Sequence, residues 1–411
     1  MSTPSEILGA PITLRCGATI KNRFLKSAMS EGIADNAHDP TPNHARLYGT
    51  FASGGTGVVV TGNVMIDSRA LGEPGNVALE DDHALTKHKA WANAGTGNGA
   101  HLWMQINHPG KQQPKGISAQ QAVAPSAIPL EGTGMKSAFG VPRELSGDEI
   151  EELIARFGRT AGLAKKAGFS GVQIHGAHGY LVSQFLSPRH NQRTDEWGGS
   201  AENRRRFALQ VYQSMRAAVG EDFPVSIKLN SADFMKGGFT DEESLDVVAE
   251  LDKAGIDLIE ISGGSYESPE MFVSKKSTRE REAFFMDFAE KARKRVKVPL
   301  ALTGGFRTAR GMARAIQSGA VDLVGLARPL CVDPELPNKI LSGADYEAPM
   351  RKLSTGIGAL DKMGMVEITW YEQQLARMGR GQRPSRNMTV WGAATRTMLA
   401  NGLKAFQQRR A

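Results

Sequence analysis

The sequence predicts a (β/α)8 barrel with an N-terminal hairpin and a C-terminal helical extension. Three observations lead there. First, the chain echoes itself: AGFSGVQIHG (167–176), AGIDLIEISG (254–263) and SGAVDLVGLA (318–327) each set a glycine before a β-branched apolar run. Each echo follows a segment with helical apolar spacing, and helix, glycine, buried strand in repetition is the signature of parallel α/β units. Second, eight such runs occur, and they are continuous rather than alternating, as expected for strands covered on both faces. Third, connections entering the strands are short, whereas those leaving them are long, at 107–145, 176–199 and 262–281. A barrel builds its site from long loops at the C-terminal ends of its strands.

The elements follow in order. ITLRCGATIKNRF (12–24) alternates around Cys16–Gly17 and reads as a hairpin that plugs the bottom of the barrel. The strands are expected at 24–29, 57–61, 101–106, 171–175, 224–229, 256–261, 298–303 and 321–326. Before Gly168, the residues Ile150, Leu153, Ile154, Phe157, Ala161 and Ala164 recur at helical spacing, and Ser146 with Glu149 forms a capping box. Thr240 with Glu243 caps the helix before Gly255 in the same way. A doubly wound sheet would need an early G-x-G-x-x-G turn between strand and helix. The candidates SGGTG (53–57) and GTGNG (95–99) precede strands, so they read as helix ends instead. Residues 1–342 thus form the barrel unit. Residues 343–411 carry helical stretches near 367–378 and 390–406, with nothing catalytic in them. They are expected to pack on the barrel or on a partner subunit, a homo-oligomer being one such arrangement.

Composition narrows the function classes. At 40% hydrophobic and 23% charged residues, the 411-residue chain has the make-up of a soluble globular protein. Its net charge of +7 is scattered, without the concentrated basic face that nucleic acid requires. Two cysteines, Cys16 and Cys331, cannot supply an iron–sulfur or zinc-knuckle site. The N-terminus has no signal-peptide pattern and no apolar run approaches membrane-spanning length, so a cytoplasmic location is expected.

Polar residues at the strand C-termini are the candidates for chemistry. These are Ser27 to Ser30, Gln105 to His108, His175, Lys228 with Asn230, Thr303 to Gly305, and Ala327–Arg328. TGGFRTA and GLARPL place glycines between a strand and a helix and an arginine past the last strand. Backbone N–H groups, a helix N-terminus and a guanidinium together suit a phosphate. His175 and His178 stand three apart across a strand end, with Tyr180 beyond. A zinc helix pair needs one full turn and an intervening glutamate, and a nucleophile elbow needs G-x-S-x-G; neither is present. No metal is therefore expected. Two imidazoles side by side suit gripping a carbonyl oxygen, and a phenol beside them can deliver a proton.

KNRFLKSAMS, HLWMQINHPGKQ, HGAHGYLVSQFLSPRHNQRTDEWGGSAENRRRF and TGGFRTA with GLARPL, in that order from about Leu8 to Leu330, resemble the old yellow enzyme family of FMN-dependent ene-reductases. The resemblance extends to the flavin barrel of 2,4-dienoyl-CoA reductases. It implies non-covalent FMN over the barrel mouth. Ser27, Ala28, Met29 and Ser30 match the segment beneath the ring, Thr61, Gly62 and Asn63 its strand-2 neighbours, and Gln105 the glutamine at the pyrimidine edge. Lys228 stands where the family usually has an arginine near flavin N1. Gly304, Gly305, Ala327 and Arg328 match the phosphate site, and Ser30 cannot form the thioether of covalent relatives. His175 and His178 match the pair that binds an α,β-unsaturated carbonyl, and Tyr180 the proton donor. The implied cycle is ping-pong: NADH or NADPH reduces FMN, N5 gives hydride to the β-carbon, and Tyr180 protonates the α-carbon. Tyr266 and Phe272, in the 262–281 loop, are candidate substrate contacts. Without a cysteine-ligated cluster, electrons are expected directly from the nicotinamide. A demethylase or amine-dehydrogenase role, an enoyl- or dienoyl-CoA substrate, and an FMN-binding scaffold without turnover are the alternatives. A flavin-free aldolase or isomerase would have Lys228 as its one candidate lysine.

Overall fold

The eight runs rich in valine, isoleucine and leucine form eight strands in the computed structural model, which describes residues 2–118, 120–131, 138–264, 282–361 and 365–401. They are β1 (Phe24–Lys26), β2 (Val58–Met65), β3 (His101–Asn107), β4 (Gly171–Gly176), β5 (Val225–Asn230), β6 (Leu258–Ser262), β7 (Leu300–Thr303) and β8 (Leu323–Leu326). Each pairs in parallel with the next, and β8 returns to β1 through Val324 opposite Phe24, closing the barrel. Closure leaves no edge, so every strand can be apolar on its outer face and packed by side chains within.

The helices between the strands start and stop where their chemistry allows. Gly147–Lys166 and Asp241–Ala254 begin with the Ser146/Glu149 and Thr240/Glu243 capping boxes. Gly255, at φ 99°, ends the second in the left-handed conformation that favours glycine. The two glycine-rich stretches at 53–57 and 95–99 do terminate the helices Pro42–Ser53 and Leu85–Gly95.

The barrel interior is filled in tiers. Leu25, Val58, Val60, Trp103, Leu258, Ala301 and Leu323 form the lower one. A Cβ on Gly171 would collide with the Trp103 indole, so the glycine makes room for the largest side chain of the tier. The hairpin of Ile12–Thr13 and Thr19–Ile20 closes it from below, adding Leu14 and Ile20 to the same cluster. The Cys16 N–H donates to Asp257 at the entrance of β6 (2.9 Å), tying the plug to the barrel.

Beyond the barrel, the helix Met365–Gly379 lies against Pro42–Ser53, where Arg46 Nε donates to the Gly379 carbonyl (2.7 Å). Buried Trp370 donates to the Met388 carbonyl (2.9 Å), holding the helix Val390–Asn401 alongside. No helix among the described residues is long and apolar enough to cross a membrane.

Candidate active site

The inward positions alternate along each strand, and at the next inward position the lining turns from apolar to polar. Leu25 gives way to Ser27, Trp103 to Gln105, Leu258 to Glu260 and Ala301 to Thr303, joined by Gln173 on β4 and Lys228 on β5. These six form one network, buried except at half-buried Thr303. Lys228 Nζ lies 3.1 Å from Glu260 Oε1 and donates to Ser27 Oγ (2.7 Å), while Ser27 donates in turn to Glu260. Thr303 Oγ1 (2.7 Å) and Gln173 Nε2 (2.9 Å) also donate to the Glu260 carboxylate, and Gln105 Nε2 donates to Gln173 Oε1 (2.8 Å). Burial pushes the Glu260 carboxyl up, but Lys228 and these hydrogen bonds outweigh it and hold the group below its ordinary range.

Above this tier opens a cavity of about 260 Å³, lined by residues at the strand C-termini and in the segments that follow them. His175, the next inward residue of β4, accepts the Ala177 N–H at Nδ1 (3.4 Å). Gly176 and Gly179 turn the chain, leaving His178 at φ 61°, a conformation uncommon for a non-glycine residue. His178 Nε2 lies 3.0 Å from Ser262 Oγ, and its N–H donates to Asn230 Oδ1 (3.3 Å). Burial, and then the Lys228 charge, drive the His178 pKa well below that of an ordinary imidazole. The two rings stand 5.3 Å apart at 86°, and Tyr180 packs 4.5 Å from His175. Asn63 Nδ2 reaches the Tyr180 hydroxyl (3.5 Å), and Asn63 Oδ1 accepts from Ser30 (3.2 Å) and Asn76 (3.3 Å).

The other end of the cavity is cationic. Gly304 and Gly305 have φ of 128° and 97°, and a Cβ on Gly305 would come within 2.7 Å of the Glu282 carbonyl. Arg328 pairs with Glu367 (2.8 Å), and Arg307 lines the same end. Burial, and then repulsion from Arg328, lower the Arg307 pKa. One expectation changes here. The helix N-terminus that was read as an anion site already holds a carboxylate: Glu282 accepts the N–H groups of Arg307 (3.0 Å) and Thr308 (2.8 Å), in front of Ala309–Gln317.

Of the residues expected from sequence, Ser27, Ala28, Met29, Ser30, Asn63, Gln105, His175, His178, Tyr180, Lys228, Gly304, Gly305, Ala327 and Arg328 all line this cavity. Thr61 and Gly62 do not. Thr61 Oγ1 accepts the Gln105 N–H (2.9 Å), and the Gly62 N–H donates to Glu31 (2.9 Å), so both brace neighbours of the site. Asn107 and His108 are buried away from the cavity. Tyr266 and Phe272 lie outside the described residues. Sequence reasoning missed Gln173, Glu260, Ser262 and Arg307. It also missed the extension, which read as a contact element but brings Glu367, Ile368 and Tyr371 to the cavity wall.

A closed (β/α)8 barrel with its polar groups gathered at the C-terminal mouth defines an enzyme of the barrel class. The chain matches the NADH:flavin oxidoreductase / NADH oxidase family over residues 8–347 and belongs to it; it is an NAD(P)H-dependent flavin oxidoreductase of the old yellow enzyme type. It is 39% identical over 414 residues to the NADH-dependent flavin oxidoreductase iccE of Talaromyces variabilis, covering 91% of this chain and 99% of the relative. It is also 39% identical over 356 residues to iliE of Neonectria sp., covering 80% of this chain but 46% of that protein's length. Among solved structures, the old yellow enzyme homologue of Zymomonas mobilis superposes with a TM-score of 0.73 at 28% identity, over 84% of this chain and 94% of the other. A 2-naphthoyl-CoA reductase complex gives 0.77 at 28% identity, over 84% and 54%.

Proposed function

We propose that this chain holds FMN non-covalently and reduces the C=C bond of α,β-unsaturated carbonyl compounds with electrons from NADH or NADPH. The observation that carries the reading is the grouping of His175, His178 and Tyr180 on one wall of a cavity whose floor presents Lys228 and Gln105. The donor set suits FMN in kind. Gln105 and Lys228 offer an amide and a cation to a polar ring edge. At the far end, Arg307, Arg328 and the Gly304–Gly305 turn offer charge and open backbone to a phosphate. FMN, when bound, supplies the hydride chemistry that protein side chains lack.

The remaining roles fall to this chain's residues. The imidazoles of His175 and His178, the latter kept neutral by burial, donate hydrogen bonds to a carbonyl oxygen and strengthen them as negative charge develops there. The Tyr180 hydroxyl, steered by Asn63, delivers a proton to the α-carbon. Arg328 can share its guanidinium between Glu367 and a phosphate, because it has donors to spare.

The test is direct. Denatured protein should release FMN. Anaerobic mixing with NADH or NADPH should bleach the flavin band, and cyclohexenone should restore it. Release of no flavin would overturn the reading. Bleaching that only an unsaturated acyl-CoA reverses would move the substrate to thioesters, and bleaching that neither acceptor reverses would remove alkene reduction.

A further inference from the structure

Lys228 and Glu260 sit directly opposite each other on β5 and β6, both buried, and Lys228 lines the cavity floor whereas Glu260 lies beneath it. A substrate or cofactor would meet Lys228 but not Glu260. The carboxylate therefore acts through the lysine. An arginine keeps its charge in nearly any surroundings, whereas a lysine loses its proton readily when desolvated. The other titratable groups near Lys228 give no help. Lys26 is a second buried amine whose pKa burial lowers, the neutral His178 is destabilised as a cation by Lys228, and His175 lies opposite on β4. Glu31, the nearer carboxylate to Lys26, is bonded to Tyr48 and Gly62.

We propose that Glu260 is a positioning residue that keeps Lys228 cationic in both oxidation states of the flavin. The proposal rests on FMN binding as read above. With Lys228 already charged, reduction to the anionic flavin takes up two electrons and one proton. Without the carboxylate, Lys228 stands neutral beside oxidised flavin. Reduction then takes up two electrons and two protons, the second going to Lys228 Nζ as negative charge appears on the ring. Ser27, which accepts from Lys228 and donates to Glu260, fixes the geometry of the pair.

Spectroelectrochemical titration of the flavin-bound protein between about pH 7 and 9 reads the proton count from the slope of midpoint potential against pH. The wild type should show the one-proton slope and Glu260→Gln a slope about twice as steep. The double variant Lys228→Arg with Glu260→Gln should return to the one-proton slope, because arginine needs no counter-charge to stay protonated. A purely structural role for Glu260 would not produce that return. An unchanged slope in Glu260→Gln, or a doubled slope that persists in the double variant, overturns the proposal. Should Glu260→Gln fail to accumulate, Glu260→Leu takes its place with the same two expected slopes, alone and combined with Lys228→Arg, and a two-proton slope in the wild type overturns the proposal without any variant. A wild type without flavin removes the functional reading itself, an outcome distinct from all of these.

Discussion

The two inner tiers of the barrel share the same strands, yet they obey opposite rules. In the lower tier, Trp103, Leu258 and their neighbours pack with the plug residues Leu14 and Ile20, and stability comes from hydrocarbon removed from water. One inward step along, Ser27, Gln105, Gln173, Lys228, Glu260 and Thr303 satisfy one another through hydrogen bonds and an ion pair. A buried charge pair is weak evidence of stability gained, since desolvation offsets much of the attraction. The contrast teaches that the lower tier holds the barrel shut, while the upper one holds charge in place for use.

The comparison can be broken from either side. The largest effect is expected just above the upper tier: Tyr180→Phe should slow alkene reduction by about 100- to 10,000-fold. Stopped-flow reduction by the nicotinamide should stay near normal, and equal loss in both half-reactions would contradict the proton-donor role. Within the upper tier, Lys228→Met leaves Glu260 buried without its partner and should cost about 3–5 kcal/mol in urea unfolding. Adding Glu260→Leu should recover most of that loss. A double variant as unstable as the single one would mean that the tier is not coupled.

In the lower tier, Leu14→Ala should cost about 2–5 kcal/mol in the same unfolding experiment while leaving flavin content unchanged. Flavin loss at equal stability would erase the division between the tiers. The smallest effect is carried by pH. Burial lowers the His108 pKa to about 4, so the folded state keeps this imidazole neutral while the unfolded chain protonates it below about pH 6.5. Its contribution is intact above that range and is lost as the pH falls through it toward 4. Unfolding at pH 5.5 compared with pH 7 should therefore show a loss that His108→Gln reduces by about 1 kcal/mol, the buried His44 and His190 imidazoles carrying losses of their own.

Much of this arrangement was legible in the residues. The strands, the hairpin and both capping boxes announce themselves through local patterns: apolar runs, alternation around Cys16–Gly17, and Ser or Thr three residues before Glu. The rim residues were findable because each sits where an apolar run ends. Gln173 and Glu260 were not, since each is a lone polar residue inside an apolar run, in GVQIH and IDLIEI. Their meaning depends on register, which sets Glu260 opposite Lys228 and Gln173 opposite Gln105. Glu367 and Tyr371 were hidden for another reason. Nothing in a helical stretch tells which distant cavity its face will meet, and the pairing of Glu367 with Arg328 arises only from the packing of Met365–Gly379.

The plugged underside has a consequence for traffic. With the hairpin seated below and a dry hydrocarbon layer above it, the described cavity has its walls at the strand C-termini and in the loops beyond. On the proposed function, an electron donor and an electron acceptor would both have to reach the flavin from the strand C-terminal side. Neither would enter while the other occupied that space. The alternation of a two-stroke catalytic cycle would then be enforced by architecture, with Leu14 and Ile20, far from any reacting atom, acting as the sealed back wall that makes turn-taking necessary.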